Sequence, residues 1–106
     1  MPSETAKPLI ETLSETALEN LWQVVLLDDD DHTYEYVIIM LMEIFGHPQD
    51  LAYQMTCEVD AVGRVVVDVT TREKAELGKR QILEYGPDPL LSRSRSSMRA
   101  VIEPIE

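Results

Sequence analysis

Between Leu21 and Leu27 the chain reads LWQVVLL, a β-branched, apolar run of strand length that ends abruptly on four aspartates, Asp28 to Asp31. Aspartate forms strands poorly and turns well, so the pattern predicts a strand over 21–27 followed by a turn. From residue 34 the period changes. Tyr34, Val37, Ile38, Leu41, Ile44 and Phe45 recur three and four positions apart, the stripe of a helix of about 13 residues. Gly46 supplies a C-terminal stop, and Pro48 suits the first turn of a second helix. That helix carries Leu51, Ala52, Met55 and Val59 on one side and is expected to end before Gly63. RVVVDV then alternates, which puts Val65, Val67 and Val69 on one strand face. Thr70 and Glu73 have capping-box spacing and open a third helix with Ala75, Gly78, Ile82 and Tyr85 as its stripe and Gly86-Pro87 as its stop. GPDPLLSRSRSS, residues 86–97, reads as a loop, and MRAVIEP, 98–104, as a short last strand with Met98, Ala100 and Ile102 on one face. The order β-α-α-β-α-β predicts an α+β fold, a small three-stranded antiparallel sheet covered by three helices.

Residues 1–20 are rich in Ser, Thr, Glu and Pro and weakly patterned. They read as a mobile arm, with a helical turn near Glu15 to Asn20, ahead of a single folded domain over 21–106. The 106 residues leave no room for a second domain, and 44% apolar with 27% charged residues is a globular composition. Charge changes the picture more. Nine basic residues against 20 acidic give a net charge of −11. That argues against nucleic acid, whose binders need a basic face, and against an anionic membrane surface. It suits a cationic partner. The longest apolar-rich stretch, VIIMLMEIFG, is interrupted by Glu43 and too short to span a bilayer. The start MPSETAKPLIETLSE has no basic segment leading into an apolar run, so no secretory signal is expected and the default location is the cytoplasm. A lone cysteine, Cys57, excludes an internal disulfide and a zinc site of several thiolates.

Few residues offer chemistry. Cys57 has no histidine near it in sequence, falls beside core positions of a predicted helix, and reads as a buried, inert thiol. Gly63 and Gly78 belong to no phosphate-cradling pattern. His32 and His47 stand at loop or helix-start positions, where capping or surface roles are commoner than ligation. The aspartate run is the strongest local anomaly. Read as a calcium loop from Asp28 it fails, because Thr33 and Ile39 stand where a Gly and a Glu are needed. A looser metal site would rest on Asp30 and His32 alone; no metal and no cofactor is expected. An organic cation such as a peptide α-ammonium needs only two or three acceptors beside a pocket, and capture of a chain terminus is a known recognition mode. The aspartates lie where a strand meets an apolar helix, so carboxylates and apolar side chains can border one cavity. Asp60, near the end of the next helix and directly after Val59, can face the same turn.

The stretch VVLLDDDDHTYEYVIIMLMEIFGHPQDLAYQMTCEVDAVGRVVV resembles the ClpS family of adaptors, the recognition component of the bacterial N-degron pathway. The family typically shows a strand, then Asn-Asp-Asp, then a helix with a Glu-aromatic-Val triplet; here these are Asp28-Asp29-Asp30 and Glu35-Tyr36-Val37. The resemblance runs through residues 21–86 and resumes over Met98 to Glu103 after a long loop. It implies a binding module without catalysis, which holds a free, large hydrophobic N-terminal residue and hands the substrate to a ClpA- or ClpC-type unfoldase. The family's amine-binding positions fall on Asp28, Asp29 and Asp60, with Asp28 in place of the usual Asn and Asp60 in place of the usual His. Its side-chain pocket falls on Leu26, Tyr34, Val37, Thr56, Val59 and Met98, with Tyr34 and Thr56 where methionine is common. The expected state is a monomer.

By periodicity alone these pocket residues are plain core. A reading of another class is therefore an acidic protein–protein docking domain with no amine pocket. An enzyme using paired carboxylates lacks any second catalytic group.

Overall fold

The computed structural model describes residues 20–105, so the expected arm lies outside the described residues save for Asn20. Strand β1, Leu21–Leu27, is central in a three-stranded antiparallel sheet of order β2-β1-β3. It is followed by α1, Tyr34–Phe45; α2, Gln49–Val62; β2, Arg64–Thr71; α3, Arg72–Leu83; and β3, Arg99–Pro104. This is the α+β arrangement that the hydrophobic periods predict.

The helices cover one face of the sheet. Val24 and Leu26 of β1 are fully buried there, packed with Val65 and Val67 of β2 and with Met40 and Leu41 of α1. Each such side chain contributes roughly 1.5–3 kcal/mol when removed from water. On α2 the inward residues are Ala52, Thr56 and Val59, and on α3 Ala75, Gly78 and Ile82. Three- and four-residue spacing selects all six.

Four sequence expectations are corrected in detail. Val24 pairs with Asp68 but Val25 with Val66, so Val67 is an extra residue in β2, a β-bulge. The bulge flips the alternation beyond it, and Val69 pairs with Gln23 and stands 48% exposed instead of facing the helices with Val65 and Val67. The cap of α3 is Thr71, whose hydroxyl accepts from the Lys74 N–H; Thr70 stays in the strand, because β2 keeps pairing with β1 through Thr71 and Leu21. Pro48 is the N-cap of α2 rather than part of its first turn, and its carbonyl accepts the first helical hydrogen bond from Ala52. Cys57 is half-buried rather than buried.

Two glycines have definite work. Gly63 closes α2 with φ +95°, and its carbonyl accepts the Asp28 N–H at 3.0 Å, tying the end of α2 to the end of β1. Gly78 lets α3 approach α1, because a Cβ there would lie 2.9 Å from the Phe45 ring. Helix propensity favours alanine at position 78 by up to about 1 kcal/mol. The contact favours glycine, and overpacking typically costs about 1–3 kcal/mol. Gly78→Ala is therefore expected to lower stability by about 1 kcal/mol in denaturant unfolding; a more stable variant would show that the Phe45 ring moves aside freely.

Candidate functional site

The carbonyl end of β1 delivers Asp28 and Asp29 to the start of α1, and the chain turns there through an Asx turn in which Asp29 Oδ1 accepts the Asp31 N–H at 2.9 Å. Thr33 then caps α1, its hydroxyl accepting from Tyr36 N–H. On the other side, α2 carries Thr56, Val59 and Asp60 past the same turn. Asp28, Asp29, Tyr34, Val37, Thr56, Val59, Asp60 and Met98 surround one small cavity of about 40 Å³, joined by His32. Eight of the nine candidate residues thus meet. Leu26 does not line the cavity; it is fully buried in the core beneath the helices. Asp30 is exposed and outside the lining, and Asp31 is exposed and bridges to Arg93 at 3.3 Å.

The cavity has a charged wall and an apolar one. Burial, opposed by the Asp29 backbone N–H and reinforced by the neighbouring charges of Asp60, Asp29 and Asp30, holds the Asp28 carboxyl above its ordinary value. Like charges brought together this way favour either a proton or a bound cation. Among the described residues Asp60 is engaged at Oδ2, which accepts from Tyr34 Oη at 2.5 Å across the mouth. That bond, with some burial, pushes the Tyr34 phenol up to about 12, so the phenol keeps its proton and stays a donor. Val37, Val59 and Met98, each almost fully buried, form the apolar wall. The Thr56 hydroxyl donates to the Ala52 carbonyl at 2.7 Å, so it adds no unpaired polar group to the pocket.

Loop 86–97 fastens this arrangement, a role that sequence reading missed. Asp88, 2% exposed, accepts the Thr33 N–H at 2.5 Å and the Leu90 N–H at 2.8 Å, while its own N–H donates to the Ser94 hydroxyl. Tyr36 Oη donates to the Gly86 carbonyl at 2.6 Å, and Arg93 donates to the Asp30 carbonyl at 2.6 Å. The imidazole of His32, expected at a capping or surface position, is buried between Asp29 and the Ser96 carbonyl. His47 likewise contacts a distant carbonyl, that of Val67, at 2.6 Å. A signal for Asp88 was present in the Pro-Asp-Pro triplet 87–89, a short acceptor on a stiffened backbone; for His32 there was only its place at the end of the acidic run. Among the described residues, no group of three or more His, Cys, Asp or Glu could hold a metal ion.

The chain belongs to the ClpS family. Residues 17–90 match the family described as ATP-dependent Clp protease adaptor protein ClpS. Among named relatives, the ATP-dependent Clp protease adapter protein ClpS of Variovorax paradoxus is 35% identical over 69 residues, 65% of this chain and 58% of that one. The protein of the same name from Nautilia profundicola is 32% identical over 77 residues, 73% of this chain and 76% of that one. The match therefore spans only a little over half the length of the Variovorax protein. The fold is also that of Agrobacterium tumefaciens ClpS2 bound to L-phenylalaninamide, with a TM-score of 0.70 at 24% identity over 82% of this chain and 99% of that one.

The Asp88 carboxyl is raised by burial but lowered more by the hydrogen bonds from Thr33 and Leu90, with a net fall below its ordinary value. A depressed carboxyl stabilises the fold above the ordinary carboxylate range, and that contribution is lost as pH falls through its folded value. Asp88→Ala is expected to cost about 2 kcal/mol at neutral pH, because it strands two backbone donors. In urea melts at several pH values the difference from wild type should shrink towards acid; a difference that is constant with pH would contradict the role.

Proposed function

We propose that the cavity holds the first residue of a protein substrate, with its α-ammonium among Asp28, Asp29 and Asp60 and its side chain against Val37, Thr56, Val59 and Met98. The bound substrate is then handed to a Clp unfoldase of the ClpA or ClpC type. The observation that carries this reading is the meeting of three carboxylates and an apolar wall at one cavity. A cation offsets the burial and the like-charge repulsion that hold the Asp28 carboxyl above its ordinary value, and a charge-assisted hydrogen bond contributes about 1.5–3 kcal/mol. Membership of the ClpS family supports the adaptor role. The ligand of Agrobacterium ClpS2, L-phenylalaninamide, pairs a free α-amine with a large side chain, the ligand class proposed here.

Calorimetric titration with two peptides that differ only in acetylation of the α-amine tests the reading. The free peptide is expected to bind at about micromolar affinity, from two or three amine contacts and one buried side chain less the cost of association. The acetylated one should lose most of that affinity. Asp60→Ala should weaken binding about tenfold, an equivalent of ~1.4 kcal/mol. Asp31→Ala should change it little, since Asp31 lies outside the cavity. Affinity should fall below about pH 5 as carboxylates take up protons and above about pH 8 as the peptide amine loses its own. Equal binding of both peptides would favour an acidic docking surface without an amine pocket.

The preferred first residue follows from the stiffness of the gate over a small cavity. Tyr34, held to Asp60, caps it with a rigid ring where methionine would yield. Peptides beginning with Leu, Ile or Val are expected to bind at least as well as one beginning with Trp. Much tighter binding of Trp and Phe in the same titration series would instead make Tyr34 an aromatic platform that swings outward.

A further inference from the structure

We propose that His32 is a positioning residue that fixes the Asp29 carboxylate for the substrate ammonium and ties it to the strand-side wall of the pocket. The inference deepens the amine-binding reading and rests on it. The His32 side chain is 2% exposed although it follows four consecutive aspartates. Its Nε2 lies 2.8 Å from the Ser96 carbonyl oxygen. A carbonyl can only accept, so Nε2 carries a proton and donates. Nδ1 lies 2.6 Å from Asp29 Oδ1, within hydrogen-bond distance. The ring is seated on Tyr36, centroid to centroid 4.6 Å, and borders the cavity itself. Every polar atom of the imidazole is therefore spent on two partners that are 67 residues apart in sequence, 29 and 96.

Two features make this arrangement one of positioning rather than of packing alone. Asp29 Oδ1 takes both the Asp31 N–H and the His32 contact, which fixes the carboxylate and leaves Oδ2 as the oxygen for a ligand. Ser96 stands two residues before Met98, which supplies part of the apolar wall. One imidazole ring therefore spans from the residue that meets the ammonium to the segment that meets the first side chain, and it sets the separation between the two halves of the ligand. Helix capping does not require it, because Thr33 caps α1.

The amide nitrogen of asparagine falls close to the position of histidine Nδ1, and that of glutamine close to Nε2. Free and acetylated forms of a Leu-initiated peptide are titrated calorimetrically into the full chain and its His32→Ala, His32→Asn and His32→Gln variants, with thermal melts alongside. His32→Ala is expected to lose about tenfold in affinity for the free peptide (~1.4 kcal/mol). His32→Asn, which keeps the donor to Asp29, should stay within about threefold of wild type, and His32→Gln should fall with alanine. A melting temperature tracks structural damage and does not separate asparagine from glutamine in this way. Wild-type affinity in His32→Ala, or an asparagine variant as weak as alanine, would overturn the proposal. If substitution prevents folding, the ring ¹⁵N signals of His32 in the wild type decide: they should move with the free peptide and not with the acetylated one, and signals unmoved by both overturn it. A wild type that binds both peptides alike removes the amine-binding reading itself. A wild type that discriminates, beside an unaffected His32→Ala, removes only the role of His32.

Discussion

Four consecutive aspartates have to be held in one short turn at the end of a buried strand, and most of the site is the consequence. Charge repulsion works against such a turn, and only local bonds and remote partners keep it. Asp29 closes an Asx turn on Asp31, Asp28 donates its N–H to the Gly63 carbonyl, and Arg93 draws in Asp31 and the Asp30 carbonyl. These bonds do not neutralise Asp28 and Asp60. The turn therefore retains unsatisfied negative charge beside an apolar wall, a state that a bound cation improves.

Loop 86–97 is the counterweight. It has no regular secondary structure of appreciable length, yet it clamps the start of α1 through Asp88 and Thr33, Gly86 and Tyr36, and Ser96 and His32. A loop that carries a buried carboxylate must satisfy it, and the Asp88 carboxylate accepts from the backbone N–H groups of Thr33 and Leu90. Because the same loop leads into Met98, the charged and apolar halves of the cavity are referenced to one another through it. The route from sequence to function thus runs through bonds that reach across more than 50 residues.

The elements were legible in the sequence because their periods are local. The stripe from Tyr34 to Phe45 and the run LWQVVLL each need only their own neighbours to be recognised. Val69 was not legible, because a bulge is a property of two paired strands and changes the alternation of one. The displaced cap at Thr71 has the same origin, since strand pairing overrode the nearer capping box. In the site, Asp28 and Asp29 announced themselves as an anomalous run. Thr56, Val59 and Met98 were distinguishable from core only through the family resemblance. Their periodicity is that of core, and all three are in fact almost fully buried. Leu26 followed the resemblance into the pocket list but lies beneath it, as its central strand position requires. His32 and Asp88 depend on partners 64 and 55 residues away; the Pro-Asp-Pro triplet marks Asp88 as an acceptor, but no local pattern encodes either partner.

The central claim is that the aspartate turn and the end of α2 form one cation-binding wall. Backbone amide resonances followed during addition of L-leucinamide, with N-acetyl-L-leucinamide as the control, test it most directly. Binding at the wall predicts shifts that are largest at Asp28, Asp29 and Asp60, that reach Ser96 and Met98 through the shared cavity, and that are absent with the acetylated compound. Shifts of equal size with both compounds, or shifts centred away from these residues, would contradict it.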